Sequence, residues 1–397
     1  MTTTTKTAGA TAAIGGTLAA GGVAAQTMPP LGPNSTAVPG PGDYNGGSVD
    51  FTRTGVKGKE TFGNFGCDTF DGNPNTPDWT TANAYFVRTV QNVDITMPDG
   101  KKIRCWGFGD PLKAPGRELL PSPVIRVQEG DLVHVKLQSS KGTHTIHHHG
   151  IEPTTMNDGV GHVSFEVKDD YVYQFQARHA GTFFYHCHKN TVTHFEMGLY
   201  GLLIVDPKPE NGRVLAYAGG PFYDVEKFWV LDDMDPRWHQ ITNLDHDVGL
   251  CGDDAGLNIF EPKYFLISGT PTRPNVLADK QKIVAKPGQK ILIRLLNASY
   301  SVLQVMFEGL EVQVISVDGH ALNKPWNKWL TIAPGTPFTL PTAQRYDILI
   351  DTASPANQAK TGYAHKVHFE FQHWVTRKVH NAGDKMYEGR AFTTITI

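Results

Sequence analysis

His144-Thr145-Ile146-His147-His148-His149-Gly150 and, further along, His186-Cys187-His188 followed by His194 and Leu199 are the stretches on which the reading of this chain turns. Each lies beside a strand signal. The alternating run Leu132-Val133-His134-Val135-Lys136-Leu137 precedes the first; Gly181-Thr182-Phe183-Phe184-Tyr185 leads into the second, and Leu202-Leu203-Ile204-Val205 follows it. Successive side chains on a strand point to opposite faces, so His147 and His149 are expected on one face and His144 on the other. In the second stretch His186 and His188 share a face and Cys187 opposes them. Two strands therefore feed two separate sites.

One site gathers His144, Cys187 and His194, two imidazoles and a thiolate, which is the donor set of a blue copper centre. The other gathers His147, His149, His186 and His188. Cys187 lies covalently between two histidines of the second set, so an electron at the first metal has a through-bond route to the second. His148 fits neither set and is expected beside the site or at the surface. His134, His162 and His179 read as structural.

These motifs resemble those of the multicopper oxidases, and more widely the cupredoxin superfamily, which carry HxxHxHG on one strand and HCHxxxHxxxxL/M on another. The resemblance implies an all-β fold of cupredoxin-like Greek-key sandwiches. It implies a type 1 copper on His144, Cys187 and His194, and half of a type 2/type 3 cluster on the other four histidines. The axial position of the type 1 site falls at Leu199, which would raise the copper potential; the thioether of Met197 is the alternative and would lower it. Asp158, in the Asp-Gly that follows the histidine strand, matches a carboxylate that the family places behind the cluster, with an ordinary turn aspartate as the other reading. One departure is that six residues separate Cys187 from His194 where laccases have four, so the loop that shapes the copper site is longer.

The rest of the chain fits this frame. Its 397 residues suffice for two domains, and 41 Gly, 26 Pro and 10% aromatics suit a turn-rich β architecture. A formal charge of -3 gives no reason to expect nucleic acid, and no stretch reaches the apolar length of a membrane span. Residues 1–50 read as a signal-like leader and flexible arm, with Val23-Ala24-Ala25 as a cleavage signal, hence a periplasmic or secreted protein. With Cys187 committed to metal, at most one internal disulfide forms among Cys67, Cys105 and Cys251.

Residues 51–210 are expected to form the copper-binding domain. Val87 to Met97 alternates, Asp99-Gly100-Lys101 marks a hairpin, and Pro123 to Asp131 is a strand and turn. Residues 211–397 carry short strands at sandwich spacing: Phe228–Leu231, Tyr264–Ile267, Lys290–Leu296, Leu310–Val317, Phe338–Leu340 and Tyr346–Ile350. Arg294 to Ala298 and Val317 to His320 resemble the copper-free domain of three-domain oxidases.

A complete cluster in that family takes eight histidines, and the second half of this chain contains no HxH. Its best candidate is His373, in Phe371-Gln372-His373-Trp374 at a strand end. That residue brings in a second resemblance, to the copper nitrite reductases, where a mononuclear copper would take His149 and His186 from one subunit and His373 from its neighbour in a homotrimer. Two features depart from that pattern: His147 stands where those enzymes carry an aspartate, and Ile315 stands near where their second catalytic histidine falls.

The leading functional reading is thus a laccase-like copper oxidoreductase, passing electrons from a small-molecule or protein donor through Cys187 to a histidine-rich centre that reduces oxygen. Nitrite reduction at a type 2 copper, and simple electron transfer or copper binding at the type 1 site, are the alternatives. Copper stoichiometry discriminates among the three.

Overall fold

The computed structural model describes residues 84–111, 119–138, 142–153, 155–161, 164–168, 170–240, 259–381 and 383–397, and the backbone alone of 50–51 and 56–57. The leader and arm, Cys67, Cys251, His162 and His246 lie outside the described residues.

Two β-sandwiches account for the described chain. In the first, a sheet in the order Lys102–Gly109, Ala84–Thr96, Leu132–Gln138, Asp170–Gln176 faces a sheet in the order Ser122–Gln128, Tyr200–Asp206, Gly181–His186, His147–His149. The hairpin at Asp99-Gly100 joins the first two of these strands, with Thr96 opposite Lys102 and Gly100 at φ 84°, a left-handed conformation that glycine takes without strain. Between the sheets lie Val133, Val135, Leu137, Tyr173, Phe175, Phe183, Tyr185, Leu203 and Val205, all buried. Each such aliphatic or aromatic side chain contributes about 1.5–3 kcal/mol by leaving water.

The second sandwich packs an eight-stranded sheet against a five-stranded one around Trp229, Leu295, Val305, Ile348 and Phe369. Its strands include all six expected from the sequence. It also contains Val302–Phe307, Ala364–Gln372 and Arg390–Thr396; in Ala364–Gln372 inward Val367, Phe369 and Phe371 alternate with outward Lys366, His368 and Glu370.

The two sandwiches meet on the outer face of the sheet that carries the motifs. Phe184, Tyr200, Leu202 and Ile204 point away from the first core and pack with Val230, Met234, Leu266 and Leu296 of the second sandwich. Strand alternation thus divides the cysteine strand: Phe183, Tyr185 and, just beyond, Cys187 face the first core, whereas Phe184 faces the seam. An ion network, buried at Arg294 and exposed at Arg126, crosses the same seam. Arg294, fully buried, pairs with Glu226 at 2.7 Å and Asp347 at 3.6 Å, and Arg126 binds Asp206 at 2.6 Å and Glu226 at 2.7 Å.

Carboxylates are also buried on the second sandwich's side. Asp233, fully buried, accepts hydrogen bonds from the Ser301 hydroxyl and, at 2.9 Å, from the Tyr300 amide; burial pushes its carboxyl up to about 7. A carboxyl raised above its unfolded value binds a proton more tightly in the folded chain. Its contribution is therefore complete below about pH 4 and lost as pH rises through 7, a swing of at most about 4 kcal/mol. Asp233→Asn should accordingly flatten the fall in unfolding free energy between pH 5 and pH 8 in urea titrations; an unchanged pH dependence would contradict this assignment.

No helix among the described residues is long and apolar enough to cross a membrane.

Candidate metal centres

The first convergence is fully buried. His144 is held by a two-way backbone bridge to Val167, Cys187 follows the cysteine strand, and His194 sits in the short helix Thr191–Glu196. The residues that lengthen this loop relative to laccases are thus coiled into a helical turn. Its base is tied by Cys187 N–H to Leu199 O at 3.0 Å and Leu199 N–H to His194 O at 3.1 Å. The sulfur lies 3.3 Å from His194 Nδ1 and 3.8 Å from His144 Nδ1, and all three residues are 0% exposed. Trp106 packs edge-on against both imidazoles, at 6.0 and 5.3 Å between ring centres. Burial pushes the Cys187 thiol up to about 11, so ionising it requires a cation at this point. One soft sulfur and two imidazoles converging in a dry pocket fit copper by the chemistry of the donor set. Both axial candidates, Met197 and Leu199, are buried in the same core.

The second convergence lies on the opposite face. The histidine strand pairs with the cysteine strand so that His147 is opposite His186 and His149 opposite Phe184. Donor atoms of His147, His149 and His186 lie within 4.8 Å of one another, with His149 Nδ1 3.3 Å from His186 Nε2. Carbonyl oxygens fix two of the rings, because a carbonyl can only accept. His147 Nδ1–H donates to Asp158 O at 2.7 Å and His186 Nδ1–H donates to Cys187 O at 2.9 Å, which leaves each Nε2 with a lone pair for a metal. Burial drives His186 well below the ordinary histidine range, and burial together with the charge of Arg345 takes His149 down to about 3. Neutral imidazoles of this kind are ready ligands.

Asp158 thus touches the centre chiefly through its backbone, its carboxylate Oδ1 standing 3.4 Å from His147 Nδ1. Gly159 follows at φ 72°, where a Cβ would lie 1.9 Å from Ile146 O, so the Asp-Gly turn is pressed against the histidine strand.

Other expected residues fall elsewhere. His188 lies beside the trio, its ring 5.5 Å from His147 and its Nδ1 3.2 Å from the Thr191 hydroxyl, and it brings no nitrogen into the convergent set. His148 is not at the surface. Alternation turns it into the first core, fully buried, with its ring 4.6 Å from Phe175. Cys105 is a buried free thiol, which leaves the expected disulfide only to residues outside those described.

His373 directly follows the strand Ala364–Gln372, as expected, but stands on the wall of a cleft of about 1100 Å³ with Trp238, Phe260, Tyr300, Trp374 and His380. Its Nδ1 accepts from the backbone N–H groups of Val375 and Thr376, at 3.2 Å each, so its proton sits on Nε2. A metal at that nitrogen would have to displace the proton.

Two side chains at the seam carry no motif. Phe184 stacks on His149 at 4.3 Å and on His186 at 5.2 Å, and Arg345 lies 5.3 Å from the Phe184 ring. Phe184 could have been found by counting two back from His186 on the strand. Nothing local marks Arg345.

Residues 90–210 match one family model described as multicopper oxidase, and residues 238–383 match a second with the same description. The chain belongs to the multicopper oxidases. As a multicopper oxidase it is 27% identical over 293 residues to copper resistance protein A of Escherichia coli, covering 62% of this chain and 45% of that protein. It is 32% identical over 147 residues to the copper-containing nitrite reductase of Neisseria meningitidis serogroup B, covering 36% of this chain and 35% of that one. Among solved structures, the blue copper oxidase from Nitrosomonas europaea superposes with a TM-score of 0.58 at 24% identity, over 79% of this chain and 85% of that one, a likeness of fold. The chain spans about half the length of the curated relatives it matches first. Copper is the metal of this family, and both donor sets suit it.

Proposed function

We propose that the protein is a laccase-like copper oxidoreductase, with 51–210 as its copper-binding domain, 211–397 as a second cupredoxin-like domain, and 1–50 as the leader of an exported, periplasmic or secreted chain. The observation that carries this reading is the arrangement of two donor trios on opposite faces of one sheet, sharing the His186–Cys187 peptide. His144, Cys187 and His194 would hold a type 1 copper, with Leu199 axial. His147, His149 and His186, with His188 beside them, would hold their share of a type 2/type 3 centre. Copper in these positions would supply one-electron oxidation of a donor at the first and reduction of oxygen at the second.

The chain's own groups prepare both places. The pocket of Cys187 excludes water, and Asp158 O and Cys187 O hold the two imidazoles in the metal-binding tautomer. The donor's place is the cleft, because Val192 on its wall belongs to the helix of His194 and its carbonyl accepts from the Tyr300 hydroxyl at 2.7 Å. Among the described residues no imidazole of the second sandwich joins the trio, which supports completion by a neighbouring copy in a homotrimer.

Nitrite reduction at a mononuclear copper is the second reading, favoured by His188 standing off the trio. The tautomer of His373 weighs against it. Copper content measured with solution mass tests these readings, since each site has a fixed ligand demand: about four coppers per chain in a trimer is expected, whereas about two would favour nitrite chemistry and one a simple carrier.

A further inference from the structure

The three-histidine centre lies against the second sandwich of its own chain, whose described residues bring it a charge and no ligand. Arg345 is 4% exposed. Its guanidinium donates to Thr182 O at 3.4 Å, Ala343 O at 2.8 Å and Asp318 O at 3.2 Å, and pairs with Asp318 Oδ1 at 3.1 Å. The last residue of the HxHG motif makes room for it. Gly150 has φ 88°, and a Cβ there would stand 2.8 Å from Arg345 Nη2 and 2.9 Å from the Phe183 ring. With Phe184 against both Arg345 and His149, the guanidinium carbon lies no more than about 10 Å from the His149 ring, roughly one screening length in dilute salt.

Such a charge is permanent, because a guanidinium does not titrate in the accessible range. Its partner Asp318 is 35% exposed and so is the better screened member of the pair. Across a partly buried path at this distance, one unit charge changes the stability of a neighbouring anion by about tenfold in affinity. On the other side of the centre the Asp158 carboxylate stands 3.4 Å from His147 Nδ1.

We propose that Arg345 sets the preference of the three-histidine centre for small monoanionic ligands, acting across the Phe184 ring as a positioning and specificity residue. The inference rests on the copper reading above.

Azide is the probe, titrated optically into the copper-loaded full-length protein, with copper content and the blue band of the Cys187 site measured alongside. Arg345→Met should weaken azide binding about tenfold, and Arg345→Lys should stay within about twofold of wild type. Asp318→Asn, which keeps the oxygen that caps the Arg345 amide and tolerates the residue's φ of 53°, should tighten it. A clamp with no electrostatic role would not give opposite signs for the two partners. If Arg345→Met fails to fold, Asp318→Asn still decides the matter. Wild-type azide affinity in a copper-replete Arg345→Met, or no tightening in Asp318→Asn, overturns the inference alone; a wild type with no copper beyond that on Cys187 overturns both it and the copper reading.

Discussion

Cys187→Ser is expected to leave the copper-loaded protein colourless and to lower its copper content by one per chain, while its fold persists. The hydroxyl nearly matches the thiol in size, and the backbone ties from Cys187 N–H to Leu199 O do not depend on the side chain. What disappears is the soft anionic donor. His144 Nδ1 and His194 Nδ1 alone leave a two-coordinate site in a pocket closed to solvent, and a serine hydroxyl does not ionise there. Electron delivery from any donor should fall to background, since the shared peptide at His186–Cys187 would no longer begin at a metal. Absorption spectra and metal analysis of the purified variant check this. A variant that keeps its blue band would remove the type 1 assignment.

His147→Ala is expected to do the reverse: to preserve the colour and abolish oxygen consumption. His147 lies on the face of the strand opposite to the thiolate trio, so its loss leaves Cys187, His144 and His194 in place. One member of the convergent trio is gone, and Asp158 O loses the N–H that it accepts, at a cost of about 1 kcal/mol. The variant should therefore fold, take up the type 1 copper, reduce it with donor and stall. Oxygen uptake with a laccase dye substrate, measured beside the blue band, separates the outcomes. Catalysis at wild-type rate in this variant would end the oxidase reading.

Much of this was legible in the residues themselves. Period-two alternation paired His147 with His149 and His186 with His188 and set Cys187 opposite the latter pair, because the spacing of side chains along a strand is fixed by backbone geometry; the strand ends at His186, and His188 stands beside the trio instead of in it. The Asp-Gly turn was visible too, although the sequence pointed to its carboxylate and the structure uses its carbonyl. His148 was misplaced because an imidazole between two ligands reads as part of a polar site, whereas alternation turns it into the core beside Phe175. Several strands of the second sandwich went unread; in Ala364–Gln372, of which only the end beside His373 was expected, Lys366, His368 and Glu370 on the outward face interrupt the apolar signal. Arg345 could not have been found, since its partner Thr182 lies 163 residues away and only tertiary packing brings them together.

The sheet that carries the motifs gives its two trios different surroundings. Cys187 lies in the core of the first sandwich, and the second sandwich reaches that site by way of the His194 helix, through the Tyr300 hydroxyl on Val192 O and the Asp235 amide on Glu196. The imidazole trio instead borders the second sandwich directly, which places Arg345 against the Phe184 ring that stacks on His149. One sandwich thus supplies the donor atoms and the other a permanent charge at their border, so ligation and electrostatics are carried by separate stretches of the chain.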